Sequence, residues 1–353
     1  MLKLNSLEPL FVFEMANNHM GLPEHGLKII REFSKISKEF PFNFGFKLQY
    51  RRLDTFIHPD YKGRLDFKYV KRFTETRLSD DQYKMLRDEM KAQGFVTVCT
   101  PFDEESVDLI EEHDFDIIKV ASCSFTDWPL LERIVKTQKP IIASTAGIAL
   151  QDIDKVVSFF EHRKKDFAIM HCVAQYPTPA ARSQLNQIDI LKARYPQVRI
   201  GYSTHEDPEN VEAVKVAVGK GVTVFEKHVG VPDGQVRLND YSANPNRLKG
   251  GCVRRRLHSN CVVIQENVRN SAKRNWRAFD RFKEGCLPGG HSKRARESPI
   301  GMYSQPFPPW MAILPPMIFQ NIRDCTPART SRPMPLCSPP MWSSEISRKK
   351  FLT

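Results

Sequence analysis

Eight short apolar runs recur between Phe11 and His228, and each ends on a side chain that can do chemistry. Glu14 follows FVF, Lys47 sits in FGFKLQ, Thr100 closes FVTVCT and Lys119 closes FDIIK. Ser144 and Thr145 close PIIAST, His171 closes FAIMH, Ser203 and His205 close IGYSTH, and Glu226 and His228 close VTVFEKH. Strands covered on both faces in a parallel sheet read as continuous apolar runs of this kind. The candidate strands are 11–14, 44–49, 95–99, 116–120, 140–144, 167–172, 198–202 and 222–227. Amphipathic stretches lie between them. Residues 79–93 open with a Ser/Asp cap and carry Tyr83, Leu86 and Met90 at helical spacing. Residues 103–114 have acidic side chains in the first turn, which suits the helix dipole, and 149–162 and 207–219 also read as helices. Strict alternation predicts an α/β fold with a parallel sheet, and eight strands predict its closure into a (β/α)8 TIM barrel over 1–246. Such a barrel gathers its chemistry at the carboxyl ends of its strands, so the eight run-ends should share one mouth.

Charge divides the chain. Residues 247–353 hold 20 of the 53 Lys+Arg and 6 of the 41 Asp+Glu, a net +14, which leaves −2 for the first 246 residues. The overall +12 is therefore no argument for nucleic-acid binding by the barrel. The same segment holds 12 of the 25 prolines and five of the eight cysteines, in stretches such as PFPPWMAILPPM and SRPMPLCSPPMW, where Pro pairs break helices and central strands. It reads as an irregular, disordered basic tail with no recognisable domain. It is also rich in Cys, Trp and Phe, which ordinary disordered tails seldom are. One explanation is translation in a shifted reading frame from about Arg247. Cys99, Cys123 and Cys172 fall in or just after strands and read as buried thiols; no CxxC pair is present. No basic leader with a long apolar run precedes the barrel, so a cytoplasmic protein is expected. The segment 50–78, with Arg51, Arg52, His58, Arg64 and Lys68, reads as a long cationic loop at the mouth.

His205 and His228 end the seventh and eighth strands, so their imidazoles should lie side by side and could bind a divalent metal with open positions. Such a metal could polarise a carbonyl. Lys47 and Lys119, buried at a barrel mouth, need an anion or a carboxylate. With Thr100, Ser122, Ser144, Thr145 and Ser203 they suit a ligand carrying phosphate and carboxylate. Glu14 or Glu226 could pair with the same lysines in a structural network. A Schiff-base aldolase using Lys119 is a rival reading.

The segments FEMANNHMG, FKLQ, TPFDEES, IIKVASCSFTDWPLL, KPIIASTAG, MHCVAQYPTP, IGYSTH and FEKHVG, in that order, resemble the sialic acid synthase family: N-acetylneuraminate synthase and its legionaminic and pseudaminic acid relatives. The resemblance covers about 11–246. It implies condensation of phosphoenolpyruvate with an N-acetylmannosamine-type sugar, giving a nine-carbon 2-keto acid and phosphate. It assigns Lys47, Thr100, Lys119, Ser122, Ser144 and Ser203 to phosphoenolpyruvate, and His205 and His228 to Mn²⁺ or Mg²⁺. Glu14 and Tyr176 would face the sugar, and Glu226 would sit beside the metal.

The chain departs from the family at Ala174, where Asn is usual and where Gln175 could substitute. The sugar-binding acid after the second His would fall on Asn239 or Asp240. An antifreeze-like domain, which in the family's homodimer lends an Arg to the partner's sugar site, has no match in 250–353. The resemblance thus also implies impaired activity for this chain. A third reading is an inactive product whose basic tail binds anions non-specifically.

Overall fold

Alternating side chains decide how these runs pack. In a strand, residues two apart share a face, so each run offers one set of side chains to the barrel interior and another to the helices. The computed structural model of the protein describes residues 2–234 and 237–246. The strands are β1 (Leu10–Glu14), β2 (Asn43–Tyr50), β3 (Val96–Pro101), β4 (Ile117–Val120), β5 (Ile141–Ser144), β6 (Phe167–Cys172), β7 (Arg199–Thr204) and β8 (Val224–His228). All pair in parallel with their sequence neighbours, and β8 closes on β1 with Glu14 opposite His228. The expected (β/α)8 barrel is the observed fold.

The inward set near the amino ends of the strands is apolar: Leu10, Val12, Val98, Ile117, Ile142, Ala168, Met170 and Val224, joined by Leu4 and Leu7 from the segment before β1. Burying each Leu, Val, Ile or Met side chain of this set contributes about 1.5–3 kcal/mol. The outward set, including Phe13, Phe46, Leu48, Ile118, Val120 and Ile169, packs with the helices in a second cluster. Gly201 stands where the interior is tightest. A Cβ there would lie 2.7 Å from the Val224 carbonyl oxygen and closer still to Met170 Sδ.

The described helices are α1 (Pro23–Ser37), α2 (Leu53–Phe56), α3 (Lys68–Glu75), α4 (Asp80–Ala92), α5 (Glu104–Glu112), α6 (Trp128–Ile134), α7 (Leu150–His162), α8 (Asn186–Arg194) and α9 (Glu212–Gly219). The cap read at 79 is a full capping box. Ser79 Oγ accepts from Gln82 N at 3.2 Å, and Gln82 Oε1 accepts from Ser79 N at 2.8 Å. The helix read at 207–219 begins only at Glu212.

The segment 50–78 is not a plain loop. It carries α2 and α3, and Leu53, Phe56, Ile57 and Val70 form a small core of their own, flanked by Phe67, Phe73 and Phe102. Interspersed Arg and Lys hide that apolar pattern in the sequence. After β8 the backbone turns helical at 245–246, where the described residues end, and among the described residues no helix is long and apolar enough to cross a membrane. The readings for 247–353, including the reading-frame explanation, lie outside the described residues.

Candidate active site

One pleat above the apolar plug, each strand changes character. Val12 is followed two positions on by Glu14, Gly45 by Lys47, Val98 by Thr100 and Ile117 by Lys119. Likewise Ile142 leads to Ser144, Met170 to Cys172, Gly201 to Ser203 and Val224 to Glu226. A spacing of two keeps each pair on the same strand face, so eight strands contribute one inward ring at the carboxyl end. All eight of these ring residues are buried.

The ring is tied together by ion pairs. Lys47 Nζ pairs with Glu14 Oε2 and lies 3.2 Å from Glu226 Oε1 and 3.3 Å from Thr100 Oγ1. Lys119 Nζ donates to Ser144 Oγ at 2.7 Å and to Glu226 Oε1 at 3.3 Å. Ser203 Oγ donates to the same Glu226 oxygen at 3.3 Å. Glu226 Oε2 is 3.3 Å from Lys119 Nζ but out of hydrogen-bond alignment. Glu14 Oε1 accepts from Ala16 N at 2.5 Å, and Gln49 Nε2 approaches Glu14 Oε2 at 3.4 Å.

Burial and neighbouring charge set the proton affinities. Burial pushes the Glu14 carboxyl up; Lys47 opposes this, and the nearby negative charge of Glu226 adds to it. Burial also works against the Glu226 carboxylate, but Lys119 and then Lys47 outweigh it and hold that group at about 2. Burial lowers Lys119, and Glu226 restores part of the loss. Lys47 stays charged against the same burial because two carboxylates contact it.

His205 and His228 stand at the mouth with ring centroids 5.3 Å apart. Tyr176, 49% exposed, covers His205 at 4.1 Å, and Tyr241 packs edge-on against His228 at 5.1 Å. Burial lowers His205 to about 4 and His228 well below the usual imidazole range, so both rings are neutral near pH 7. His205 Nδ1 lies 3.0 Å from the Val173 carbonyl oxygen. That contact assigns the proton to Nδ1 and leaves Nε2 with its lone pair. Among the described residues no group of three His, Cys, Asp or Glu is arranged to hold a metal. The donor set is two imidazoles, which fits a divalent cation completing its shell with water and substrate.

The structure brings most of the sequence-derived site together. Glu14, Lys47, Thr100, Lys119, Ser144, Ser203 and Glu226 form the network, with His205, His228 and Tyr176 at the mouth. Ser122 Oγ accepts from Ala146 N at 3.0 Å and, like Ser203, lies against the Cys172 thiol. Asn239 is less clear-cut: its Oδ1 is buried without a partner, and its neighbour Tyr241 makes the histidine contact. Asp240 is exposed. His171 faces away from the ring, its Nε2 2.8 Å from the Ser183 carbonyl oxygen. Thr145 Oγ1 donates to the Met170 carbonyl oxygen at 3.0 Å, a backbone contact. Gln49 was legible as the next inward position after Lys47. Tyr241 gives no periodic signal, because it lies in the segment after β8.

The sequence profile described as the NeuB family matches residues 45–250. A crystal structure of a candidate spore coat polysaccharide biosynthesis protein E from Chromobacterium violaceum is similar, with a TM-score of 0.69 and 60% identity over 73% of this chain and 75% of that one. An uncharacterized protein of Methanocaldococcus jannaschii is 30% identical over 69% of this chain and 68% of its own length. N-acetylneuraminate-9-phosphate synthase of Drosophila melanogaster is 29% identical over 67% of this chain. The chain spans 64% of the length of that Drosophila relative. With its family-specific profile match and a barrel whose polar ring unites the residues of the family motifs, the chain belongs to the NeuB family.

Proposed function

We propose that this barrel condenses phosphoenolpyruvate with an N-acetylmannosamine-type sugar, releasing phosphate and forming a sialic-acid-type 2-keto acid. One observation carries the reading. Lys47 and Lys119, each with a hydroxyl (Thr100, Ser144) as neighbour, converge on Glu226 directly below a pair of neutral histidines. Two ammonium groups and a ring of hydroxyls suit a small ligand bearing phosphate and carboxylate. Ser122 and Ser203 would hold that ligand with them.

The enol carbon attacks the open-chain sugar aldehyde, forming the new C–C bond. Water adds at the pyruvyl C2, and the tetrahedral phosphate adduct collapses with loss of phosphate. Glu14, whose carboxyl burial pushes up against the opposing pull of Lys47, would pass a proton to the sugar oxygen as the bond forms. Tyr176 and Asn239 would orient the sugar. A Mn²⁺ or Mg²⁺ held by His205 and His228 would polarise the aldehyde as a Lewis acid. The name of the Drosophila relative supports the substrate class.

The test is phosphate release from phosphoenolpyruvate by the purified protein, with and without N-acetylmannosamine and a divalent cation. Phosphate release independent of the sugar would refute the condensation. One observation favours a second reading: burial lowers Lys119, as a Schiff-base lysine requires.

A further inference from the structure

Next to the mouth, and sharing no residue with the polar ring, a cavity of about 480 Å³ opens where β2 meets α4 and α5. Arg51, Arg52, Arg77, Tyr83 and Ser106 line it, with Asp80. Two of the three guanidinium groups are compensated. Arg52 donates to both carboxylate oxygens of Asp80 at 2.9 Å and lies 3.9 Å from Glu105, and Arg77 pairs with Asp54 at 2.9 Å.

Arg51 is not compensated. Its guanidinium is clamped between the rings of Phe73 and Phe102, 4.4 and 4.1 Å from their centroids. It donates to Gln49 Oε1, its Nε is buried with no partner, and among the described residues no carboxylate pairs with it. Ser106, 1% exposed, lines the same space with an unpartnered buried Oγ. An enclosed cation without a counter-ion and a buried hydroxyl without a partner are both costly. Phosphate relieves both: a guanidinium fork binds two of its oxygens, and a third accepts from the hydroxyl.

We propose that this cavity is an anion subsite that takes a phosphate group through Arg51 and Ser106. The Arg51–Gln49–Glu14 contacts connect it to the polar ring. The phosphate could belong to a phosphorylated acceptor sugar, which would rest on the synthase reading, or be free phosphate, which would not.

The test is calorimetric titration of inorganic phosphate into full-length Lys119→Met protein, in which the ring has lost a cation. Saturable binding is expected. Adding Arg51→Met should weaken it roughly tenfold, and adding Ser106→Ala about threefold. Ser106→Ala is the safeguard should Arg51→Met not fold. No saturable binding, or binding indifferent to both cavity substitutions, overturns the proposal. A second arm compares N-acetylmannosamine with its 6-phosphate on the wild-type chain. A roughly tenfold gain that Arg51→Met removes assigns the site to the acceptor; phosphate binding without such a gain assigns it to free phosphate. Failure of the wild-type chain to bind phosphoenolpyruvate, while phosphate still titrates the cavity, would sink the synthase reading and leave the subsite standing.

Discussion

Glu14 and Glu226, on the adjacent strands β1 and β8, both contact Lys47 Nζ, and their proton affinities are driven apart. Burial raises Glu14, whereas Lys119 and Lys47 hold Glu226 at about 2. Neighbouring carboxylates separated in this way take different tasks. In the proposed reaction Glu14 would carry the proton, and Glu226 would remain the anion that keeps two lysines in place. Glu14→Gln should lower kcat roughly 100-fold or more with little change in melting temperature. Glu226→Gln leaves two buried ammonium groups under-compensated and should destabilise the fold by about 3–5 kcal/mol. Paired steady-state kinetics and thermal melts check this, and equal kcat losses with equal melting temperatures would contradict the division of labour.

The two histidines make a cation-binding prediction that does not depend on turnover. Mn²⁺ titration followed by electron paramagnetic resonance should show one site. His205→Ala or His228→Ala should abolish it, because two imidazoles cannot spare one. Unchanged Mn²⁺ affinity in both variants would remove the metal from the mechanism. Chelation should stop sugar-dependent phosphate release, and added Mn²⁺ or Mg²⁺ should restore it.

Lys119 separates the two enzyme readings. Borohydride with pyruvate should leave the lysine unmodified if the chain is a phosphoenolpyruvate synthase. A pyruvyl adduct at Lys119, found by peptide mass spectrometry, would establish the aldolase reading instead. Lys119→Arg keeps the charge but not the fit to Ser144 and should still lose most activity.

His19 predicts an acid limb in stability. Burial lowers this imidazole to about 3, with the charges of Arg51 and His25 adding to the effect. The unfolded chain accepts a proton near 6.5 and the folded chain refuses it until about 3. Stability is therefore full above pH 6.5 and falls as pH drops through that window, by at most roughly 1.4 kcal/mol per pH unit from this one group. Denaturant melts at pH 7 and pH 5 should show a smaller loss for His19→Asn, which keeps an acceptor for the Gly21 N–H. An identical loss in the variant would mean that other groups carry the acid limb.

Residues 247–353 can be tested directly. If the reading frame shifts near Arg247, one of the other two frames of the encoding DNA should continue with periodic, globular sequence. If the segment only adds basic charge, DNA retention should be salt-sensitive and vanish when 247–353 are deleted.

The sequence by itself determined the barrel, because a strand buried on both faces must be apolar throughout, and eight such runs stand out against a largely polar chain. The run β6 was legible at its observed limits, and other boundaries moved by one or two residues. The sequence also marked Lys47, Lys119, His205, His228 and Glu226 as strand-end groups. What it could not express was direction and partnership. His171 ends its run as visibly as Ser203 does, yet it faces the helices, because one step along a strand turns a side chain to the opposite face. Only closure of the sheet decided that Lys47 and Lys119, 72 positions apart in the chain, share one carboxylate on Glu226. Only the tertiary packing that brings Phe73 of α3 and Phe102, just after β3, to the end of β2 put a ring on either side of Arg51. Those contacts join residues distant along the chain, and local patterns carry no information about such distances.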